Sequence, residues 1–200
     1  MTSARDDILA KVRAALADVE PDREPVVAPA IAAPADVVGL FAERVADYRA
    51  VVERCSPAGL AAAVATALPA GARVVVPAGL SVDVPGAVID GAGEHVLSAE
   101  ELDGYDAVVT DARAGIAETG TIVLDHGAGQ GRRAITLVPD RHVCLVRADR
   151  VVADVPDAIA LLDPRRPLTW ISGPSATSDI ELDRVEGVHG PRVLHVIIVE

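Results

Sequence analysis

Aromatic side chains are nearly absent from this sequence. One Trp, one Phe and two Tyr make up 2% of its 200 residues. A core without rings has to be built from Val, Ala, Leu and Ile, and the hydrophobic half of the chain supplies them. Such a composition suits buried parallel strands covered by Ala-rich helices. Lysine is scarcer still: Lys11 stands alone, so almost all positive charge sits on arginine. Arginine makes the better bidentate contact with carboxylates and phosphates, although a biased genome composition would enrich Arg and Ala just as well. Cations are short overall, 18 against 30 acids for a net charge of −12. Nucleic acid and anionic membrane surfaces both need basic patches, so neither is expected as a partner. The two cysteines, Cys55 and Cys144, lie far apart with no CxxC. That spacing excludes a cysteine-ligated iron–sulfur cluster or zinc site within this chain. No uncharged apolar run approaches the roughly 20 residues of a membrane span. The opening stretch MTSARDDILAKVRAAL places acids where a signal peptide needs an apolar segment. A cytoplasmic protein with buried rather than reactive cysteines is expected.

What is present is order along the chain. Ile8, Leu9, Val12, Leu16 and Val19 recur at helical spacing, and Ser3 with Asp6 three residues on is a start signal. The proline-punctuated stretch EPDREPVVAPAIAAPAD has no period and reads as an extended linker. The expected organisation is therefore an N-terminal helix over 1–20, a Pro/Ala-rich linker over 21–36 and one domain over 37–200. Within that domain a helix over about Ala35 to Arg49 comes first. Strand AVVERC, helix SPAGLAAAVATAL (Ser56 as cap, Pro57 in first place) and strands ARVVVP and GAVID follow. A brief helix in SAEELDGY opens on a Ser98-to-Glu101 capping box. DAVVTDA and HVCLVR read as strands, DVPDAIALLD as a helix, and LTWISG and VLHVIIVE as the last strands. TGTIVLD and RAITLVP read as two arms of a hairpin-like excursion. This alternation predicts an α/β fold with an open, mostly parallel sheet and helices on both faces. Ligands of such sheets sit beyond the carboxyl ends of strands, which directs attention to DARAGIAETGT, DHGAGQGRR and SGPSATSDIE.

Each of these loops carries groups with chemistry. In GAGQGRR the glycines stand at 127, 129 and 131, but a dinucleotide fingerprint needs a helix next, and RAITLVP reads as a strand. A flexible hairpin tip is the better reading. Arg132 and Arg133 beside it either close over an anion or stand as a solvated pair. Glu118, among the small residues Ala117, Thr119 and Gly120, is either a partly desolvated acid suited to proton transfer or a solvent-facing acid at a turn. Ser178 and Glu181 fit a capping box, which leaves Ser175 and Thr177 unexplained; hydroxyls and free N–H groups at a helix start hold anions. The acids Asp179 and Glu181 would oppose an anion unless they turn away or hold a cation or hydroxyl. His189 sits on a Gly-rich loop with Arg192 close behind, the better functional histidine. His195 reads as a core or edge-strand residue. His95, His126 and His142 are scattered, and without HxH or HExxH spacing no metal site is expected.

GIAETGTIVL, the downstream LVPDRHVCLV and above all ISGPSATSDIELDRVEGVHGPRVLHVIIV together resemble the lactate-utilisation protein C family, the LUD domain, from roughly Phe41 to the last residue. The N-terminal helix and linker also fit that family's layout. The resemblance implies a fold of the NagB/RpiA/CoA-transferase-like class. It implies a part in bacterial oxidation of L-lactate to pyruvate alongside iron–sulfur partner proteins. Because CxxCxxC motifs are missing, the chain looks like the short member without clusters: no cofactor is expected here, and electrons would pass through partners. Carried onto this sequence, the family motif covers Glu118, Thr119, Gly120, Arg133, Gly173, Ser175, Thr177, Asp179, His189 and Arg192. Arg133 or Arg192 would clamp a small anion, Ser175 and Thr177 would donate hydrogen bonds, and Glu118 or His189 would handle a proton. The alternatives are a self-standing enzyme or binding protein for a phosphorylated, CoA-linked or folate-type metabolite, and a scaffold that keeps the pocket without the chemistry. The detached N-terminal helix also suits assembly into a homo-oligomer or docking on a partner.

Overall fold

The computed structural model describes residues 3–19, 34–91, 95–177, 185–186 and 189–200. The chain divides into two units, Met1–Ala30 and Ile31–Glu200. The first carries helix α1 (Ala4–Ala15), closed at its start by the expected box: the Asp6 amide donates to Ser3 Oγ and the Ser3 amide to Asp6 Oδ2. None of its residues is buried.

The second unit is built on six parallel strands: β1 (Val51–Cys55), β2 (Val74–Pro77), β3 (Val88–Asp90), β4 (Ala107–Asp111), β7 (Arg141–Arg147) and β12 (Val193–Val199). Their order across the sheet is β1-β12-β7-β4-β2-β3. The central strands are near-continuous Val, Ile, Leu and Ala, as strands buried on both faces must be. One face, with Val109, Val143, Leu145 and Ile197, is covered by Ala63, Val64 and Ala67 of α3 (Leu60–Ala67). The opposite face is covered at one end by Leu102 of α4 (Ala99–Asp103) and Ile135 of α5 (Arg133–Leu137), packed on Val75 and Val108. At the other end Phe41 and Val45 of α2 (Val37–Asp47) meet Cys144, Val146, Val196 and Ile198.

A second sheet of four strands shares this face. It comprises β5 (Ala114–Ile116), β6 (Thr121–Leu124), β8 (Val151–Val152) and β9 (Thr169–Ile171), in the order β8-β5-β6-β9. Ile122 and Leu124 turn toward the large sheet, while Val123 joins Ala114, Ile116 and Ala158 of α6 (Val155–Ala160) on the far side. A short antiparallel pair, β10 (Ala176–Thr177) with β11 (Val185–Glu186), completes the elements. Helices lie on both faces of a mostly parallel sheet, as the alternation predicted.

Three local expectations are corrected. The segment RAITLVP is no hairpin arm: residues 133–137 are helical, and β6 pairs instead with β5 and β9. Five residues are too few to display a 3.6-residue period, and the β-branched Ile135 and Thr136 biased the reading toward a strand; burial of Ile135 on the sheet decides for the helix. Ser56 makes no side-chain cap, because residues 57–59 form a 3₁₀ turn before α3 begins. TGTIVLD and LTWISG do contain strands, but their pairing into a separate small sheet with β5 and β8 was not foreseen, since strands of two or three residues such as β5 and β8 carry no period. The capping box read at Ser178 and Glu181 lies outside the described residues.

Candidate functional site

A cavity of about 280 Å³ opens between the two sheets. Its floor is His142 of β7 and Leu194 of β12, each the second residue of its strand. One wall is Thr136 and Leu137 of α5; another is β9 and the segment Ser172–Ser175; the rim is His189, Gly190 and Pro191. The site thus lies at the amino ends of β7 and β12, not beyond the carboxyl ends where the general rule points. The reason is the small sheet, whose strand β9 runs antiparallel to β6 and delivers the segment after it to the opposite end of the molecule.

That segment is held by its backbone. The Ser175 amide donates to Pro191 O at 2.9 Å, and the His189 amide donates to Ser175 Oγ at 3.1 Å. Gly173 has φ +81°, and a β-carbon there would meet Tyr48 Cβ at 2.5 Å, so only glycine fits the turn. The serine-rich stretch after β9 therefore makes a wall rather than a helix start at these positions.

The polar groups around the cavity form small networks. His142 is 1% exposed, and its Nε2 lies 2.8 Å from Thr110 Oγ1, which also donates to Cys144 Sγ at 3.8 Å. Burial lowers its pKa from 6.5 to about 4, so the imidazole is neutral at pH 7. Ser172 Oγ is 2.8 Å from Thr121 Oγ1, which is 2.8 Å from Thr119 Oγ1, a chain of three hydroxyls running from the β5–β6 turn to the cavity. Thr169 Oγ1 joins His126 Nε2 at 2.8 Å and accepts from Arg133 Nε at 3.1 Å.

The residues expected from the sequence are thereby sorted. Gly173, Ser175 and His189 line the cavity, and Thr119 reaches it through Thr121 and Ser172. Glu118 is exposed at the turn between β5 and β6, its amide donating to Ala153 O at 3.0 Å. Gly120, φ +59°, faces the backbone of Arg44, where a β-carbon would lie 2.7 Å from the carbonyl carbon; it is a packing position for α2. Arg133 donates to Leu168 O and Thr169 Oγ1, and Arg132 to Asp90, so the arginine pair beside the glycine loop is tied to the protein rather than a free clamp, although Arg133 is exposed. Arg192 donates to both oxygens of Asp140, at 2.6 and 2.8 Å. Thr177 stands in β10 opposite Val185, and Asp179 lies outside the described residues. Ser172, a hydroxyl of the SGPSATSDIE loop, lines the cavity too, and His142, Thr136 and Trp170 line it without having been singled out. Of these only His142 left a signal, as the lone polar residue on the buried face of HVCLVR.

The glycine loop of residues 127–131 is pinned rather than free. The Asp111 amide donates to Gly129 O at 2.7 Å and the Gly129 amide to Ala78 O at 2.9 Å. Among the described residues no three His, Cys, Asp or Glu side chains converge as metal ligands, and no helix is long and apolar enough to cross a membrane.

Residues 94–199 match the family model described as LUD domain. Over 98% of its length the chain is 46% identical to a Deinococcus radiodurans protein named Lactate utilization protein C, covering 95% of that protein. The chain belongs to the LUD-domain family. A Bacillus pumilus protein, also named Lactate utilization protein C, is 34% identical across 52% of this chain and 46% of its own length. The LUD fold is seen as well in the crystal structure of a DUF162-family protein from D. radiodurans, with TM-score 0.67 and 41% identity over 83% of this chain and 98% of that one. Every residue lining the cavity falls inside the matched LUD stretch.

Proposed function

We propose that this chain is a ligand-binding subunit of a bacterial system that oxidises L-lactate to pyruvate together with iron–sulfur proteins. The observation that carries the reading is the near full-length, 46% identity to a protein named Lactate utilization protein C. The cavity agrees in scale. At about 280 Å³ it sits just below the usual range for drug-sized ligands and suits an acid of a few heavy atoms, not an enclosed CoA ester or folate. Oxidation of the hydroxy acid releases two electrons and two protons. The electrons would leave through the clusters of a partner protein, and the chain would work in the cytoplasm.

Deletion of the gene tests the subunit reading. The strain should fail to grow on L-lactate as sole carbon source and recover when the intact gene is returned. Normal growth of the deletion strain overturns the proposal. The cavity itself can be followed through Trp170, the single tryptophan of the chain, which lines it and is 40% exposed. Titration with L-lactate or pyruvate should change its fluorescence saturably.

A further inference from the structure

We propose that the cavity is built to read a short 2-hydroxy acid: Nδ1 of His142 accepts the hydrogen of the ligand's hydroxyl, while Ser172 and Ser175 donate to its carboxylate. The assignment rests on the lactate-utilisation reading and names the group that would tell the hydroxy acid from its oxo product.

Counting protons around the cavity leads there. Thr136 Oγ1 spends its hydrogen on Arg133 O at 2.9 Å. His126 Nδ1 sits 2.7 Å from Gly131 O and must be the protonated nitrogen, since a carbonyl can only accept. In the neutral ring Nε2 is then an acceptor, so Thr169, 2.8 Å away, gives it the hydroxyl hydrogen; its oxygen already accepts from Arg133. Thr136 and Thr169 therefore have no donor left for a ligand. Ser175 differs: its oxygen accepts the His189 amide, leaving its hydrogen free. Ser172 ends a chain of three hydroxyls; when Thr119 gives its hydrogen to Thr121, and Thr121 gives its own to Ser172 at 2.8 Å rather than to the more distant Thr119 O at 3.5 Å, the Ser172 hydrogen is free for an outside acceptor.

His142 supplies the opposite polarity. Thr110 has one hydroxyl hydrogen and two neighbours that can take it, Cys144 Sγ at 3.8 Å and His142 Nε2 at 2.8 Å; with the hydrogen on sulfur, Thr110 Oγ1 accepts from His142 Nε2. That arrangement is the Nε2–H tautomer, and it leaves Nδ1 as an acceptor with no hydrogen bond among the described residues. The imidazole is 1% exposed and lines the cavity, so its free lone pair is offered to a donor there. The hydroxyl of a 2-hydroxy acid provides one. The carbonyl of a 2-oxo acid sets lone pair against lone pair, and an acid without the oxygen leaves Nδ1 unpaired. Leu194 and Leu137 leave apolar surface for a short alkyl group such as a methyl.

The test uses the full chain, with Trp170 fluorescence or calorimetry reading sodium L-lactate, pyruvate and propionate. L-lactate should bind at least about tenfold more tightly than either of the others, the usual scale for leaving a buried polar group unmatched. His142→Leu should collapse that ratio toward one. Thr110→Val removes the hydroxyl behind the ring, outside the cavity lining, and should narrow the ratio by freeing the tautomer. Nitrogen-15 NMR of labelled histidine should report His142 protonated on Nε2 at neutral pH in the unaltered protein, a readout that needs no variant to fold. Pyruvate binding as tightly as lactate, or an Nδ1–H tautomer, overturns the inference. So does failure of all three acids to bind; if the deletion strain still cannot grow on lactate, that result leaves the subunit reading standing. Selective lactate binding with normal growth of the deletion strain does the reverse.

Discussion

Arg132 grips Asp90 with two hydrogen bonds, Nε to Oδ2 at 2.7 Å and Nη2 to Oδ1 at 3.0 Å. The carboxylate also accepts the Leu97 amide at 3.0 Å, and Arg132 Nη2 donates to Leu97 O. One ion pair thus ties the exit of the glycine loop to the end of β3 and the approach to α4. It is the reason that a stretch with the composition of a flexible tip is an ordered support for α5, and hence for one wall of the cavity.

Asp90→Asn should destabilise the protein by roughly 2–3 kcal/mol at pH 7, the scale of charge-assisted hydrogen bonds lost from a side chain only 7% exposed. Burial pushes the Asp90 carboxyl up, but the Arg132 hydrogen bond, the Leu97 amide and the guanidinium charge together hold it below its ordinary value. The stabilisation is therefore present above the unfolded carboxylate pKa of about 3.9 and is lost as pH falls through the lower folded value. Urea denaturation of the two proteins should show a gap at pH 7 that closes in strong acid.

His142 makes a separate, milder acid dependence. Its pKa is 6.5 unfolded and about 4 in place, lowered by burial. Below pH 6.5 the unfolded chain takes up a proton that the folded one refuses, so stability falls from pH 6.5 toward 4 and levels off below. Between pH 7 and 5 this amounts to roughly 2 kcal/mol. His195, also lowered chiefly by burial against the opposing charge of Glu53, acts in the same direction. In His142→Gln the slope of stability against pH over this range should flatten by about that amount; an unchanged slope would show that the folded ring titrates normally.

Gly120→Ala should cost roughly 2–4 kcal/mol, since a left-handed backbone and a β-carbon pressed on the Arg44 main chain are both unfavourable. The expected readout is a melting temperature several degrees lower, with unfolding by α2 contacts detected first in hydrogen exchange. An Ala variant as stable as the parent would mean that α2 can shift away without loss.

Thiol chemistry should separate the cysteines. Cys144 is buried, and burial pushes its pKa up to about 12; Cys55 is half-buried, with its pKa raised by burial and by Glu53 and Glu200. A disulfide reagent at pH 8 should modify Cys55 slowly and Cys144 only as fast as the protein unfolds. Equal rates for both in the native protein would contradict the buried placement of Cys144.

The large sheet was legible because its strands are apolar runs bounded by Gly, Pro and polar residues, and helices α4 and α6 because Ser98 and Asp154 stand at their starts. Strands β6 and β9 of the small sheet were read in TGTIVLD and LTWISG, but helix α5, strands β5 and β8 and the sheet they form were not, because these elements of two to five residues carry neither a cap nor a period that could mark them. The site was half legible. Gly173, Ser175 and His189 stood out as polar or glycine positions in two loops of the C-terminal stretch. His142 did not, because a histidine inside an apolar strand looks the same whether its ring meets packing or a cavity.

By itself the sequence determined the parallel α/β sheet, through local pattern and composition, and the family, through the resemblance carried by its C-terminal stretch; it offered three loops for a site without choosing among them. Only the tertiary structure decided which residues share that cavity. Arg133 and Arg192 are drawn to Leu168, Thr169 and Asp140, Gly120 to α2, and His142 from far along the chain to the cavity floor. Hydrogen-bond partners and close contacts between segments 35 to 76 residues apart are set by how sheets stack, and no local pattern encodes that distance.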